Sequence, residues 1–373
     1  MTPMLVALAW AALVGLLVWA LHFLYRRPPA VSLTRDLPAS GFEGTRVPLR
    51  LRLNVTARLP TRLVLEDPTP RSVVPDRAPQ FAAEVVGTHQ AELDLNLTLN
   101  RRGEYVWPGA TLRWADPLGL FWRSAPLPAP AALQVFPGTH GLLLPDLLRP
   151  LLSEGRLTPS LGLDDPISLR GAREYVSGDP PGRIHWRLTA RTGTLTVREL
   201  ERMAAGSLTV YVDTNGNDVY VDSAARLAAS LIREAGALDL PVAVASSAGV
   251  TPSGTGAGAA QAALLHLARL RPDPGAVPRI PPTRSGGNLI ILTAGAGPQL
   301  IEQAMRARAT ASRVSLVALP EGFYLEPGES PRRQWSGLPD TVRELERQAG
   351  VLAGAGILVR VLRGNQSVLN LSA

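Results

Sequence analysis

The chain has 373 residues, of which 46% are hydrophobic and 18% charged, so it is long enough for two or three domains with packed cores. All 38 basic residues are arginines and the formal net charge is +7. These arginines are spread along the chain without a block of like charges, which argues against nucleic-acid binding. Because the chain has no cysteine, disulfides, thiolate metal sites and cysteine nucleophiles are excluded.

Residues 4–25 are almost wholly apolar and predict a membrane anchor in contact with lipid, since about 20 such residues span a bilayer core. A cleaved signal peptide is the alternative, but no basic residue precedes the apolar run and no small-residue cleavage site follows it. Arg26, Arg27 and Arg35 follow the span. The positive-inside rule therefore predicts a single-pass protein of the inner (plasma) membrane, with its soluble part in the cytoplasm.

After the anchor, residues 1–27, we predict an all-β sandwich of about seven short strands over residues 28–137. Residues 47–55 and 93–99 alternate hydrophobic and polar side chains with a period of two, which is typical of strands buried on one face. Clusters of proline, glycine and aspartate separate such runs. Residues 138–206 are predicted to link this domain to the next.

Residues 207–373 alternate short apolar strands with segments of helical periodicity. This order predicts an α/β domain with a mostly parallel sheet and helices on both faces. Ligands of such sheets bind beyond the carboxyl ends of the strands, and the first such end lies at residues 212–218. The Gly/Ser-rich residues 246–260 are predicted to be a loop, and residues 356–362 the final strand.

The linking segment is rich in arginine and raises the question of an active site. Asp179, His185 and either Ser177 or Thr189 are the candidate members of a hydrolytic triad. Glu174 and Asp179 are a candidate carboxylate pair for acid–base chemistry. No nucleophile elbow occurs, and arginines beside carboxylates favour ion pairs over catalysis. We therefore predict that the protein is not an enzyme.

The same segment is predicted to form the joint between the two domains. Asp179 is expected to cap a helix over residues 182–190, whose Trp186 packs into the domain seam, and residues 193–200 are expected to add a strand to the edge of the α/β sheet. A docking surface for a partner is the alternative. The residues assigned to the joint are Arg173, Glu174, Tyr175, Gly178, Asp179, Arg183, Trp186 and Arg191.

This segment closely resembles the signature of the domain-of-unknown-function-58 family: Arg-x-Tyr, Gly-Asp, Arg-x-Ile-x-Trp and Ala-Arg, which here fall within residues 173–191. Residues 101–123, with Arg-Gly-x-Tyr and Asp-Pro-Leu-Gly-Leu-Phe, are similar to the family as well. The resemblance implies a C-terminal domain of the von Willebrand factor type A-like, Rossmann-like fold. It also implies a partner among MoxR-type AAA+ ATPases, in the assembly or maturation of other proteins, and no established enzymatic activity.

A von Willebrand factor type A domain that binds metal carries Asp-x-Ser-x-Ser after its first strand, and the resemblance directs attention to Asp213. Asn215 and Asn217 replace the two serines, and Ala294 stands where an aspartate would follow a threonine. A weakened Mg²⁺ site on Asp213, Asn215 and Asn217 is one hypothesis, and a loop whose side chains bind turn amides is the other. The predicted function is a membrane-anchored scaffold without a cofactor, and a Mg²⁺-dependent adhesion or substrate-binding module is the alternative.

Overall fold

The computed structural model describes residues 2–138, 164–176, 184–202, 207–237, 239–283, 287–319, 340–363 and 367–370. The chain divides into two compact units, Met1–Gly138, here called the β unit, and Thr139–Ala373, here called the α/β unit.

The β unit consists of one helix followed by seven strands. These are α1 (Thr2–Leu24), β1 (Ala30–Asp36), β2 (Ser40–Phe42), β3 (Arg46–Glu66), β4 (Val73–Pro75), β5 (Gln80–Leu99), β6 (Gly103–Ala115) and β7 (Arg123–Phe136).

A β-rich domain after the apolar helix is confirmed, but its strands are longer than predicted and are hydrogen-bonded into one sheet. The order is β2-β7-β6-β3-β5-β4, with β1 paired to β3. β3 has 21 residues, and its register against β5 shifts between Ala57 and Thr61. Such an irregularity lets a long strand change direction. The first half of β3 therefore pairs with β1 and the second half with β6.

The core of the β unit follows the period-two pattern of the sequence. Alternate residues of β3 are buried and the arginines between them are exposed, because successive side chains of a strand point to opposite faces. Exposed Arg50 and Arg52 and half-buried Arg62 form ion pairs with acidic residues of β5. The buried cluster includes Leu49, Leu51, Leu53, Val55, Leu63, Leu65, Leu95, Leu97, Leu99, Trp107 and Leu133.

One ion pair of the β unit is buried. Arg35 on β1 donates from Nε to Asp67 Oδ2 at 2.9 Å and from Nη2 to Oδ1 at 2.5 Å. Each side chain is 1% exposed. A bidentate contact of this kind compensates both charges away from water.

The end of α1 is held by the β unit. Tyr25, just after the helix, is 6% exposed, and its hydroxyl donates to the Pro60 carbonyl oxygen at 2.6 Å. The indole Nε1 of Trp114 donates to the Tyr25 carbonyl oxygen at 3.0 Å. Over Met4–Leu24 the helix is long and apolar enough to cross a membrane, and none of that span is buried.

The described part of the α/β unit contains nine strands and five helices. These are β8 (Asp164–Glu174), α2 (Trp186–Thr192), β9 (Thr196–Arg202), β10 (Leu208–Val212), α3 (Asp218–Ala237), β11 (Val242–Ser246), β12 (Gly249–Val250), α4 (Gly256–Arg269), β13 (Asn288–Thr293), α5 (Pro298–Ala307), β14 (Arg313–Ala318), α6 (Asp340–Gly354), β15 (Ile357–Arg363) and β16 (Ser367–Asn370).

The linking segment differs from its prediction in two respects. β9 pairs antiparallel with β8 in a separate two-stranded sheet, so it does not extend the α/β sheet. α2 begins only at Trp186, because His185 is its N-cap and accepts the Leu188 amide on Nδ1 at 3.2 Å. The predicted cap, Asp179, lies outside the described residues.

An α/β region after residue 207 is confirmed. The sheet has the order β12-β11-β10-β13-β14-β15-β16, with parallel pairing from β11 to β15. α3 and α4 contribute to the core on one face, and α5 and α6 to the core on the other. The antiparallel edge strands β12 and β16 were missed, since one lies in the predicted loop and the other follows the predicted final strand. The residues of α3 predicted to face inward are all buried: Ala225, Leu227, Ala228, Leu231 and Ile232.

Candidate functional site

The α/β sheet reverses its direction of winding at β10. The chain passes from β10 to β11 on one side, and then returns to β13 on the other side of β10. In open α/β sheets, the crevice at the carboxyl ends of two such strands is the usual ligand site. Asp213 directly follows β10, and Thr293 ends β13. The Thr293 hydroxyl donates to Asp213 Oδ2 at 2.9 Å, so the structure joins these two residues at the crevice.

The Asp213 carboxyl group is buried, which disfavours its charged form. Asp213 is 3% exposed, and its Oδ1 accepts a hydrogen bond from the Asn215 amide at 3.1 Å. Burial raises the pKa of Asp213 above its ordinary value, and the hydrogen bonds from Asn215 and Thr293 only partly oppose this shift. A buried carboxylate of raised pKa in a crevice marks a candidate functional site, because it costs stability at neutral pH.

We expect the Asp213→Asn variant to melt about 1–3 °C higher than the wild type at pH 7. In the wild type, the folded state binds more protons than the unfolded state between the unfolded and the folded pKa of Asp213, so stability falls as pH rises through that window. The uncharged asparagine removes this loss of stability. The difference in melting temperature between the variant and the wild type should therefore vanish below the unfolded-state pKa of Asp213. Thermal melts of the full chain across pH measure it.

The exposed Asp273→Asn is the control for this prediction, and we expect its melting temperature to stay within about 1 °C of the wild type. A lower melting temperature for Asp213→Asn at pH 7 would contradict the prediction, because it would mean that the charged carboxylate stabilises the fold.

The other two predicted ligands lie on the same loop, residues 213–217, here called the switch-point loop. Asn217 is the N-cap of α3: its Oδ1 accepts the Tyr220 amide at 2.8 Å, and its carbonyl oxygen accepts the Val221 amide at 3.1 Å. Asn215 is exposed. The described residues contain no group of three or more His, Cys, Asp or Glu side chains that could hold a metal ion. With one buried carboxylate, this donor set fits a hydrogen-bonded turn better than a Mg²⁺ site.

Tyr220 was missed by the sequence analysis, although it organises the switch-point loop. It is wholly buried, and its hydroxyl lies 2.8 Å from the Asp213 carbonyl oxygen and 3.0 Å from that of Leu292, so it bridges the ends of β10 and β13. A Cβ atom at Gly216 would lie 2.4 Å from Tyr220 Cδ1. The sequence signal that could have identified Tyr220 was its spacing from Asn217. The third residue after an asparagine N-cap lies in the first turn of the helix.

Ser246, at the end of β11, forms a second contact that the sequence did not reveal. Its hydroxyl lies 2.9 Å from His266 Nε2 on α4 and accepts the Ala248 amide at 3.2 Å. Burial, and then the charge of Arg269, lowers the pKa of His266. Since Ser246 is 2% exposed, its hydroxyl is out of reach of a substrate, and the pair joins β11 to α4.

The predicted joint residues that the structure describes lie at the ends of β8 and α2. Arg173 and Glu174 are the last residues of β8, and the Tyr175 amide donates to the Leu195 carbonyl oxygen at 2.8 Å. Arg191 is exposed in the last turn of α2. Four residues of the joint and triad hypotheses lie outside the described residues: Ser177, Gly178, Asp179 and Arg183.

Trp186 is the first residue of α2 and is 66% exposed, and no residue of α2 is buried. Its packing between the two units stays a prediction. Leu195, just before β9, is 48% exposed. Trp186 and Leu195 are here called the signature patch, and they flank the bond from the His185 amide to the Thr196 carbonyl oxygen at 2.8 Å.

The remaining members of the hypothetical triad are occupied by main-chain contacts. His185 Nδ1 accepts the amide at the start of α2, and the Thr189 hydroxyl accepts the Thr196 amide at 3.0 Å. Because Nδ1 accepts this amide, the neutral His185 ring carries its proton on Nε2, which then cannot accept a proton from a hydroxyl group. These contacts of His185 and Thr189 connect α2 to β9.

Comparison with known proteins supports one family. The family model described as "Protein of unknown function DUF58" matches residues 171–291, which include α2 and the switch-point loop. Residues 171–291 are therefore similar to the DUF58 family, in agreement with the resemblance of the signature segment. No curated protein matches the chain.

Two solved structures illustrate the distant structural matches. The CARDB domain of the PF1109 protein from Pyrococcus furiosus is 9% identical, with a TM-score of 0.21, over 29% of this chain and 93% of that one. A protein of unknown function from Porphyromonas gingivalis W83 is 20% identical, with a TM-score of 0.22, over 30% of this chain and 48% of that one. Similarities at this level define neither the fold of the whole chain nor its function.

Proposed function

We propose that the protein is a membrane-anchored interaction protein without catalytic activity of its own, and that its α/β unit binds a protein partner. The observation that carries the proposal is Trp186, a large side chain left 66% exposed on a short capped helix within the family signature. Tryptophan is enriched among the residues that dominate binding energy at protein interfaces. A tryptophan on a capped helix, together with the exposed Leu195, is therefore suited to docking.

The anchor in this proposal is α1, with the protein in the inner (plasma) membrane. A cleaved signal sequence has a similar composition, but Tyr25 is buried and hydrogen-bonded within the β unit, which favours a helix that stays attached. Arg26 and Arg27 are exposed after the span and favour a cytoplasmic soluble part. Arg35 no longer supports this orientation, since its charge is compensated by Asp67.

The proposed partner is a MoxR-type AAA+ ATPase, and the proposed role is the assembly or maturation of other proteins. The support is the family resemblance, together with the match of residues 171–291. The same resemblance supports a von Willebrand factor type A-like fold for the α/β unit, because Asp213 follows its first parallel strand at the winding reversal.

We expect Trp186→Ala to weaken binding to a MoxR-type ATPase from the same genome by roughly tenfold or more, as loss of a hot-spot residue does. The full chain, in detergent micelles, is titrated with the ATPase in the presence and absence of ATP. Because Trp186 is exposed, the Trp186→Ala variant should have the same melting temperature as the wild type.

Trp122→Ala is the matched control, since Trp122 is a 43% exposed tryptophan of the β unit and should be dispensable for this affinity. Absence of binding by the wild type would refute the ATPase partner. If Trp186→Ala binds the ATPase as well as the wild type but has a lower melting temperature, Trp186 belongs to a structural joint and not to a docking surface.

The proposal includes no resident metal. Mg²⁺ added to millimolar concentration should leave the melting temperature of the wild type unchanged. A saturable increase that is absent from Asp213→Asn would instead support a Mg²⁺-dependent adhesion or substrate-binding module.

A further inference from the structure

The turn between β6 and β7, residues 116–122, exposes three large apolar side chains. Leu118 is 64% exposed, Leu120 is 55% exposed and Trp122 is 43% exposed. We call residues 116–122 the interfacial loop. Isolated apolar residues are common on protein surfaces, but a cluster of three within five residues marks a surface that contacts something other than water.

Hydrogen bonds to Asp116 hold the interfacial loop in a defined conformation. Asp116 is fully buried, and its Oδ1 and Oδ2 accept the amides of Leu118 at 2.9 Å and Phe121 at 2.8 Å. Its carbonyl oxygen accepts the Gly119 amide at 2.9 Å. Gly119 has a φ of 72°, in the left-handed region that favours glycine. These bonds fix the turn in the conformation that displays its leucines.

The interfacial loop lies beside the last turn of α1. The ring of His22 meets that of Phe121 edge to face at 5.2 Å, and Arg123 donates from NH2 to the His22 carbonyl oxygen at 3.1 Å. The apolar span Met4–Leu24 has 21 residues and a length of roughly 32 Å, close to the thickness of a bilayer core. Its final turn, and with it the loop, would therefore lie at the headgroup level.

The surroundings of the loop match the chemistry of a membrane surface. Arg26 and Arg27 directly follow Tyr25, Arg58 comes two residues before its partner Pro60, and all three arginines are exposed. The Arg113 guanidinium carbon lies 5.4 Å from the centre of the Trp122 ring. Arginines attract anionic headgroups, and tryptophan prefers the boundary between headgroups and acyl chains.

We propose that the interfacial loop inserts Leu118, Leu120 and Trp122 into the headgroup–acyl boundary of the bilayer that α1 crosses. This inference rests on the proposed membrane anchor, and it adds a second lipid contact within the same unit. A protein is the less suitable occupant, because the contact of Phe121 with His22 places the loop beside the end of α1, where lipid headgroups would surround the helix.

The test uses the natural absence of cysteine, which allows a single fluorescent label to be placed at will. Leu118→Cys, Leu120→Cys, Val106→Cys and Leu13→Cys are labelled with an environment-sensitive nitrobenzoxadiazole dye. Each full chain is reconstituted into vesicles of phosphatidylcholine with a minor fraction of phosphatidylglycerol. Val106 is the matched control, being 63% exposed on β6 at nine residues before Ala115, roughly 30 Å away.

We expect the labels at Leu118 and Leu120 to show blue-shifted emission and quenching by lipids that carry a shallow doxyl group, while the label at Val106 shows neither. Leu13 lies in the middle of α1 and reports on the anchor itself. Quenching of the Leu13 label by lipids that carry a deep doxyl group, with water-like emission at Leu118 and Leu120, would overturn the loop proposal and leave the anchor intact. Water-like emission at Leu13 would overturn the anchor, and the loop proposal with it. Protection of Leu118 only after a partner protein is added would also overturn lipid insertion.

Discussion

Replacing Asp67 with alanine is expected to destabilise the β unit by about 3–5 kcal/mol, because the variant leaves the guanidinium of Arg35 buried without a counter-charge. Both side chains are 1% exposed, and two hydrogen bonds join them. The free energy of opening, measured by hydrogen exchange of β1 and β3 amides in the full chain, reports the loss within this unit alone.

Asp94→Ala is the matched control, since it removes an aspartate from an ion pair with Arg50 whose side chains are 48% and 68% exposed. Solvent screens that pair, so its loss should change the exchange far less. The double replacement Arg35→Met with Asp67→Leu should recover most of the stability, because the buried charge is then gone. Equal losses in Asp67→Ala and Asp94→Ala would refute this account of the buried pair.

The Gly216→Ala variant is expected to destabilise the α/β unit by about 1–3 kcal/mol, the usual cost of overpacking a core. Its new methyl group would lie 2.4 Å from Cδ1 of Tyr220, and that ring cannot retreat because it is wholly buried and its hydroxyl is bonded to main-chain oxygens. Hydrogen exchange should accelerate most in the switch-point loop and the first turn of α3.

Gly236→Ala, near the end of α3, is the control. A Cβ atom there meets nothing within 4 Å, so alanine should leave stability unchanged or raise it by up to about 1 kcal/mol through its better helix propensity. Equal exchange rates in Gly216→Ala and the wild type would mean that the ring of Tyr220 has room to move.

Much of the β unit was predictable from residues 47–55 and 93–99, because period-two alternation assigns a face to each residue without any knowledge of the partner strand. The register shift of β3 between Ala57 and Thr61 was not predictable, since it depends on which strands pair with the two halves of β3. The buried pair of Arg35 and Asp67 joins residues 32 positions apart, and nothing in the local sequence distinguishes Arg35 from an exposed arginine.

In the α/β unit, the order of strands and helices was enough to predict the sheet and the location of Asp213 at a strand end. The role of Tyr220 was out of reach, because its hydroxyl acts on main-chain atoms of two strands brought together only by the fold. The start of α2 was misplaced because Asp179 followed by two prolines is a stronger cap signal than His185.

The burial of Tyr25 has a mechanical consequence. Tyr25 is hydrogen-bonded to Pro60 and Trp114, so no flexible linker separates α1 from the sheet of the β unit. A pulling force exerted on the β unit would reach the helix through its last turn, without first stretching a tether. Such a joint transmits torque as well as tension, and it fixes how far the sheet can tilt or rotate about the helix axis.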